Sequence, residues 1–335
     1  MLKAKLRFSS EQLLARPTTI ALASLVVSLV ALSFSPILIR LSEGELGPNA
    51  TIFNRFWIST IAFILWNRFT TSRQQLSDNQ PEKPQPYTIR QLLLLLGVGF
   101  VMFATLALWA WSLAHTTVAN STLMHNLAPP FTVLGGWLFW GKRFDSRFLI
   151  GMLVAIAGAY VLLYHDFSSA TDKLQGDIAA LLSASFLGLY PLLVEQLRTQ
   201  LSPITIMTWC YAIGTVLLLP VVLLTENQLF PSSLQEWVYV TSLALICQIL
   251  GLGLYAYSLK SLSSGFVSLC DLFVPILSTQ EAWFIFSERP RWVTLVSFIV
   301  ILLGVYVTST GQSAIKGEVE SANQVAIKTG VHQET

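Results

Sequence analysis

The sequence predicts an all-α polytopic membrane protein, with ten transmembrane helices in two inverted five-helix repeats. Three observations lead there: a shortage of charge, ten apolar runs of membrane-spanning length, and a residue pattern that recurs at fixed spacing. Of 335 residues, 53% are hydrophobic and only 11% charged, with a mean hydropathy of +0.62. A soluble domain carries roughly a quarter charged residues. The missing polar shell means that lipid is the solvent for much of the fold. A net charge of +2 is too small to point to nucleic acid. Cys210, Cys247 and Cys270 lie inside apolar runs, at no metal-ligand or redox spacing, and read as buried thiols.

The apolar runs fall at 19–39, 48–69, 91–113, 117–140, 145–164, 176–197, 204–224, 236–260, 264–286 and 290–310. Each is long enough to cross about 30 Å of hydrocarbon. Residues 1–17 form a polar, basic N-terminal segment, and 311–335 read as a disordered tail. Lys3, Lys5 and Arg7 precede the first run as in a signal peptide. The run starts late, is of span length and leads into Pro36 without a small-residue cleavage site, so a retained helix is expected. The longest connection, 70–90, contains Pro81, Pro84 and Pro86.

With both termini on one side, that side collects 15 Lys and Arg residues against 4 on the other, Arg40, Lys173, Arg289 and Arg291. The positive-inside rule then makes both termini cytoplasmic, in a cell membrane. An even number of spans agrees.

A shift of 146 residues pairs Ser112 with Ser258, Leu123 with Leu269, Pro129 with Pro275, Trp137 with Trp283 and Arg143 with Arg289. It also pairs Gly158, Tyr160 and Val161 with Gly304, Tyr306 and Val307. A shift of 155 pairs Pro36 with Pro191, and the nine-residue difference falls in the 70–90 connection. The repeats are expected at 18–165 and 175–310. Five spans is an odd number, so the second copy enters the membrane upside down relative to the first. Inverted repeats are common in secondary transporters, with the substrate site near the midplane between the halves.

The two fourth spans of the repeats carry a resemblance. The first runs Ala119-Asn-Ser-Thr-Leu-Met-His-Asn-Leu-Ala-Pro129 and exits through Trp137-Leu-Phe-Trp-Gly-Lys-Arg143. The second runs Gly265-Phe-Val-Ser-Leu-Cys-Asp-Leu-Phe-Val-Pro275 and exits through Trp283-Phe-Ile-Phe-Ser-Glu-Arg289. Over 19–310 the chain resembles the EamA-type carriers of the drug/metabolite transporter superfamily. It departs from the usual Gly-Glu-Arg exit at Lys142, where the acid is missing, and at Ser287, where the glycine is missing. The resemblance implies a ten-helix carrier of small metabolites, which in that family include amino acids, nucleotide-related compounds and drugs.

At 100° per residue, Ser121, Thr122, His125, Pro129 and Thr132 share one face of span four. Ser264, Ser268, Asp271, Pro275 and Ser278 form the matching stripe on span nine. His125 and Asp271 occupy the same repeat position, as do Thr122 and Ser268. A polar stripe on a membrane helix avoids lipid, so both read as walls of a central pathway. His125 and Asp271 are candidates for proton coupling or for holding a charged substrate, or else form a structural pair. Arg55 and Glu281 are the other charges within spans, expected as an outer gate or as a structural pair. The register also pairs Trp109 with Tyr255 and Trp111 with Tyr257, one pair of which suits a cavity wall. Asn120 and Gln248 are placed there too, since an idle amide in lipid is costly. Pro36, Pro129, Pro191 and Pro275 each remove a backbone hydrogen bond and are expected to kink their helices.

There is no Walker loop for nucleotide hydrolysis, no zinc or iron motif, and no cofactor signature. The expected partners are a small-molecule substrate, the lipid bilayer and, for coupling, protons. The expected function is export of a small organic metabolite, such as an amino acid or related compound, by alternating access. The competing class is a membrane-embedded enzyme acting on a lipid or peptide, which needs clustered catalytic groups rather than two symmetric stripes.

Overall fold

A computed structural model describes residues 2–42, 46–77, 87–116, 118–164, 174–286 and 292–311. Its elements are helices throughout: α1 Leu2–Ser33, α2 Ser35–Ser42, α3 Pro48–Ser77, α4 Ile89–His115, α5 Val118–His125, α6 Ala128–Trp140, α7 Ser146–Tyr164, α8 Leu174–Leu197 and α9 Pro203–Thr225. There follow α10 Leu234–Ser242, a π-helical stretch Leu243–Leu252, α11 Gly253–Ser258, α12 Ser264–Cys270, a 3₁₀ turn Asp271–Phe273, α13 Val274–Phe286 and α14 Trp292–Ser309. Helix α1 begins at Leu2, so the basic N-terminal segment continues the first span as helix. The tail from 312, most of the 70–90 connection and the exit containing Glu288 and Arg289 lie outside the described residues.

Among the described residues, five helical stretches are long and apolar enough to cross a membrane unaided: Thr18–Ile39, Ile89–His115, Leu174–Leu197, Pro203–Thr225 and Leu234–Ser258. The other expected spans are polar, short or broken. Helix α3 carries Asn54, Arg55, Asn67 and Arg68. Spans four and nine are each two helices in line, α5 with α6 and α12 with α13. These breaks precede Pro129 and Pro275, and the break between α1 and α2 precedes Pro36, as expected of a residue that cannot donate to the preceding turn. Pro191 differs. It sits inside an uninterrupted α8.

Packing follows the repeats. Helix α7 packs on α14, and α3 on α9. The contact of α4 with α8 is matched by that of α1 with the π stretch and α11. The contact of α6 with α8 is matched by that of α13 with α1. Each is what exchange of the halves requires.

The α7–α14 seam gives the relative direction. A Cβ on Gly151 would meet Thr308 and, at 2.6 Å, the Gly304 carbonyl, whereas one on Gly158 would meet Ile301 at 2.9 Å. Numbers rise along one helix as they fall along the other, so these helices are antiparallel. Since Gly158 and Gly304 are repeat counterparts, equivalent segments of the two copies run in opposite directions. Small residues allow this close approach.

Candidate functional site

A cavity of about 270 Å³ lies where the two repeats meet. Its wall is built from register-matched pairs: Leu32 with Leu187, Ser35 with Tyr190, Met102 with Gln248, Leu106 with Leu252, Trp109 with Tyr255, and His125 with Asp271. Six pairs on one cavity put it on the pseudo-twofold axis.

Helix interruptions bring the polar groups there. His125 ends α5 and Asp271 opens the 3₁₀ turn, so both sit at a break in the α-helix. The π stretch, a helical form frequent at functional sites, turns Cys247, Gln248 and Leu252 onto the wall. His125 stacks on Trp109, with ring centroids 5.2 Å apart. Its Nδ1 lies 2.9 Å from the Ser183 hydroxyl. That hydroxyl donates to the Thr105 carbonyl at 2.7 Å, so His125 is the donor to Ser183. The Tyr255 hydroxyl donates to Asp271 Oδ2 at 2.9 Å. The Tyr211 hydroxyl donates to Gln248 Oε1 at 2.7 Å, which fixes the amide.

Four polar atoms on the cavity residues are buried without a hydrogen-bond partner: Arg55 Nε, Thr105 Oγ1, Trp109 Nε1 and Asp271 Oδ1. Buried polar groups are nearly always paired, so these four stand out among the cavity residues. Arg55 brings a cationic group to the cavity wall and Asp271 a carboxyl group.

Of the residues expected from sequence, His125, Asp271, Thr122, Gln248, Trp109, Tyr255, Arg55, Pro36 and Pro275 line the cavity. Ser268 does not: it is buried and shares a hydrogen bond of 3.0 Å with Thr132 Oγ1. Tyr257 lies outside, 40% exposed, with the Arg198 guanidinium over its ring at 6.0 Å. Glu281 accepts from Ser33 Oγ at 2.6 Å in place of a bond to Arg55. Pro129 and Pro191 are buried away from the cavity. The side chain of Asn120 lies outside the described residues. Tyr190, Ser183 and Tyr211 escaped the sequence reading, because span six and span seven show no polar stripe to single them out. Among the described residues no group of His, Cys, Asp and Glu could hold a metal ion.

The cavity reaches further toward one end. Ile39, Pro36, Thr122 and Pro275 line it, while their counterparts Val194, Pro191, Ser268 and Pro129 are buried. At that closed end Lys142 Nζ donates to Glu195 Oε2 at 2.6 Å and to Ser264 Oγ at 3.1 Å, and the Ser264 amide donates to the same Glu195 oxygen at 2.9 Å.

The model of the EamA-like transporter family matches residues 19–164 and again 174–310. The chain belongs to the EamA-like transporter family. This EamA-like transporter is an integral, multi-pass membrane protein. An uncharacterized transporter of Archaeoglobus fulgidus is 24% identical over 299 residues, covering 86% of this chain and 96% of its own. The pseudopaline exporter CntI of Pseudomonas aeruginosa is 22% identical over 212 residues, covering 63% of this chain and 72% of its own. A solved crystal structure superposes with a TM-score of 0.70 at 19% identity, over 88% of this chain and 98% of that one. That likeness is one of fold.

Proposed function

We propose that this EamA-like transporter is a ten-span secondary exporter of a small organic metabolite, such as an amino acid or related compound, working by alternating access with proton exchange. The observation that carries the reading is the cavity between the repeats, with a guanidinium and a carboxylate that both keep unpartnered atoms. Arg55 suits a solute carboxylate, Asp271 an ammonium, and the Trp109–His125 stack a flat or apolar side chain. At about 270 Å³ the cavity sits just below the usual range for small-molecule sites, roughly 300–1,000 Å³, which favours a compact solute. His125 and Asp271 are the groups that can exchange a proton within it. Export, rather than uptake, draws on the name of the Pseudomonas relative. With both termini cytoplasmic, the Lys142–Glu195 end is the cytoplasmic one and the cavity faces outward.

The test is counterflow in proteoliposomes preloaded with single amino acids. Carrier exchange accelerates uptake of the labelled compound when the same compound is present inside. Asp271→Asn keeps an acceptor for Tyr255 but loses the charge, so it is expected to insert normally and to lower exchange about tenfold or more. Uptake that no amino acid accelerates excludes this substrate class. Wild-type exchange in the Asn variant removes Asp271 from the mechanism.

A further inference from the structure

Helix α6 ends at Gly141, which takes a left-handed conformation with φ 60°. Its amide donates to the Trp137 carbonyl at 3.1 Å, and the Lys142 amide donates to the Gly136 carbonyl at 3.0 Å. The turn sends two neighbouring cations different ways. Lys142 reaches inward to Glu195, whereas Arg143 stays exposed and has no hydrogen-bond or ion-pair partner among the described residues. The Lys142 stem and the Phe144 ring lie over Gly136, where an added Cβ would meet them at 3.3 and 3.4 Å.

Helices α6 and α7 barely touch, although only this short turn joins them. The groove left there has a volume of about 500 Å³. Val133, Leu134, Trp137, Phe144 and Leu149 wall it, with Lys142 and Arg143 at the turn. Leu134 and Trp137 are exposed, and the groove shares no residue with the central cavity, so it opens to the lipid-facing surface. The repeat supplies an internal comparison. Under the shift of 146, Trp137, Arg143 and Leu149 are kept as Trp283, Arg289 and Leu295. Val133, Leu134, Lys142 and Phe144 are replaced by Thr279, Gln280, Glu288 and Pro290. An interfacial tryptophan and an arginine belong to both span ends, whereas the apolar wall with two cations belongs to one.

We propose that this groove binds an anionic phospholipid, with an acyl chain along Leu134, Trp137 and Leu149 and the phosphate on Arg143. Lys142 is committed to Glu195, which leaves Arg143 for the phosphate, and a guanidinium takes two phosphate oxygens at once. Trp137 is of the type that settles at headgroup level, and basic pockets beside spans at the cytoplasmic surface are where anionic headgroups bind. The one carboxylate of the turn, Asp145, accepts from the Phe148 amide at 3.3 Å and is not part of the wall. No acid on the wall therefore faces the ammonium of a zwitterionic headgroup, which favours a lipid of net negative charge. Such a site needs only the groove and a bilayer, and stands whether or not the central cavity carries a solute.

The experiment offers the detergent-purified protein equal amounts of phosphatidylglycerol and phosphatidylcholine with identical chains, and counts retained lipid by native mass spectrometry. The parent is expected to retain phosphatidylglycerol in preference. Arg143→Gln is expected to lower that preference about fivefold, the worth of one cation at a membrane surface. Arg143→Lys keeps the charge and is expected to keep most of the preference, which separates loss of charge from loss of folding. Arg147→Gln removes an exposed cation that does not line the groove and is expected to change nothing. Leu134→Gln, which copies the counterpart residue, is expected to lower retention of both lipids. Equal retention of the two lipids by the parent, no change in Arg143→Gln, or an equal loss in Arg147→Gln overturns the proposal. So does inorganic phosphate alone raising the melting temperature as far as phosphatidylglycerol does, since the site would then be one for free phosphate.

Discussion

His125 and Asp271 stand at one register position of two repeats, yet their surroundings differ. His125 is stacked and bonded, whereas Asp271 keeps one oxygen free. The sequence reached both, because helical periodicity shows which face of a span is polar. It does not show which neighbouring helix supplies a partner. That is why Ser183 and Tyr190 went unseen, and why Ser268 was expected in the cavity when a short hydroxyl could be satisfied by Thr132. The same reasoning applies to charge. Glu195 is 6% exposed at its side chain and depends on Lys142, which is 22% exposed. Lys142→Met leaves a buried carboxylate without its cation and is expected to lower stability by about 3 kcal/mol. Adding Glu195→Gln should recover most of that. Thermal unfolding in detergent reads both, and a single variant as stable as the parent would show the pair to be idle.

At the scale of elements, apolar length located the spans, but the breaks in them depend on tertiary context. Proline marked the interruptions ahead of Pro36, Pro129 and Pro275, because a missing donor ends the preceding turn. The same residue at 191 is carried inside α8, where close packing on both flanks holds the helix together. The π stretch had no signature at all, since Leu243–Leu252 is as apolar as any span around it. Small residues were informative in a different way. Gly151 and Ala155 carry almost no side chain, and the structure sets them against Gly304 of α14. Gly151→Leu has no space there, because its Cβ already lies 2.6 Å from a backbone oxygen. It is expected to force α7 and α14 apart and to destabilise the protein by about 1–3 kcal/mol, read as a lower melting temperature. Gly97, which would meet Leu193 only at 3.6 Å, is the control expected to tolerate Ala with little change.

At the scale of the molecule, one property organises the rest. Two homologous bundles in opposite orientation put matched residues on a common axis, and the cavity forms there because the axis is where polar stripes from both halves can meet without touching lipid. The symmetry was legible from residues such as Pro129 with Pro275 and Gly158 with Gly304. The asymmetry was not, since matched positions in a sequence do not say which end of the cavity the folded chain leaves open. The most direct measurement is side-specific cysteine labelling in sealed vesicles of known orientation, with the native cysteines replaced. Cysteines at the repeat counterparts Arg143 and Arg289 are expected to react with an impermeant reagent from opposite faces, position 143 from the cytoplasmic side. Reaction of both from the same face would contradict opposed repeats, and with them the carrier built on their axis.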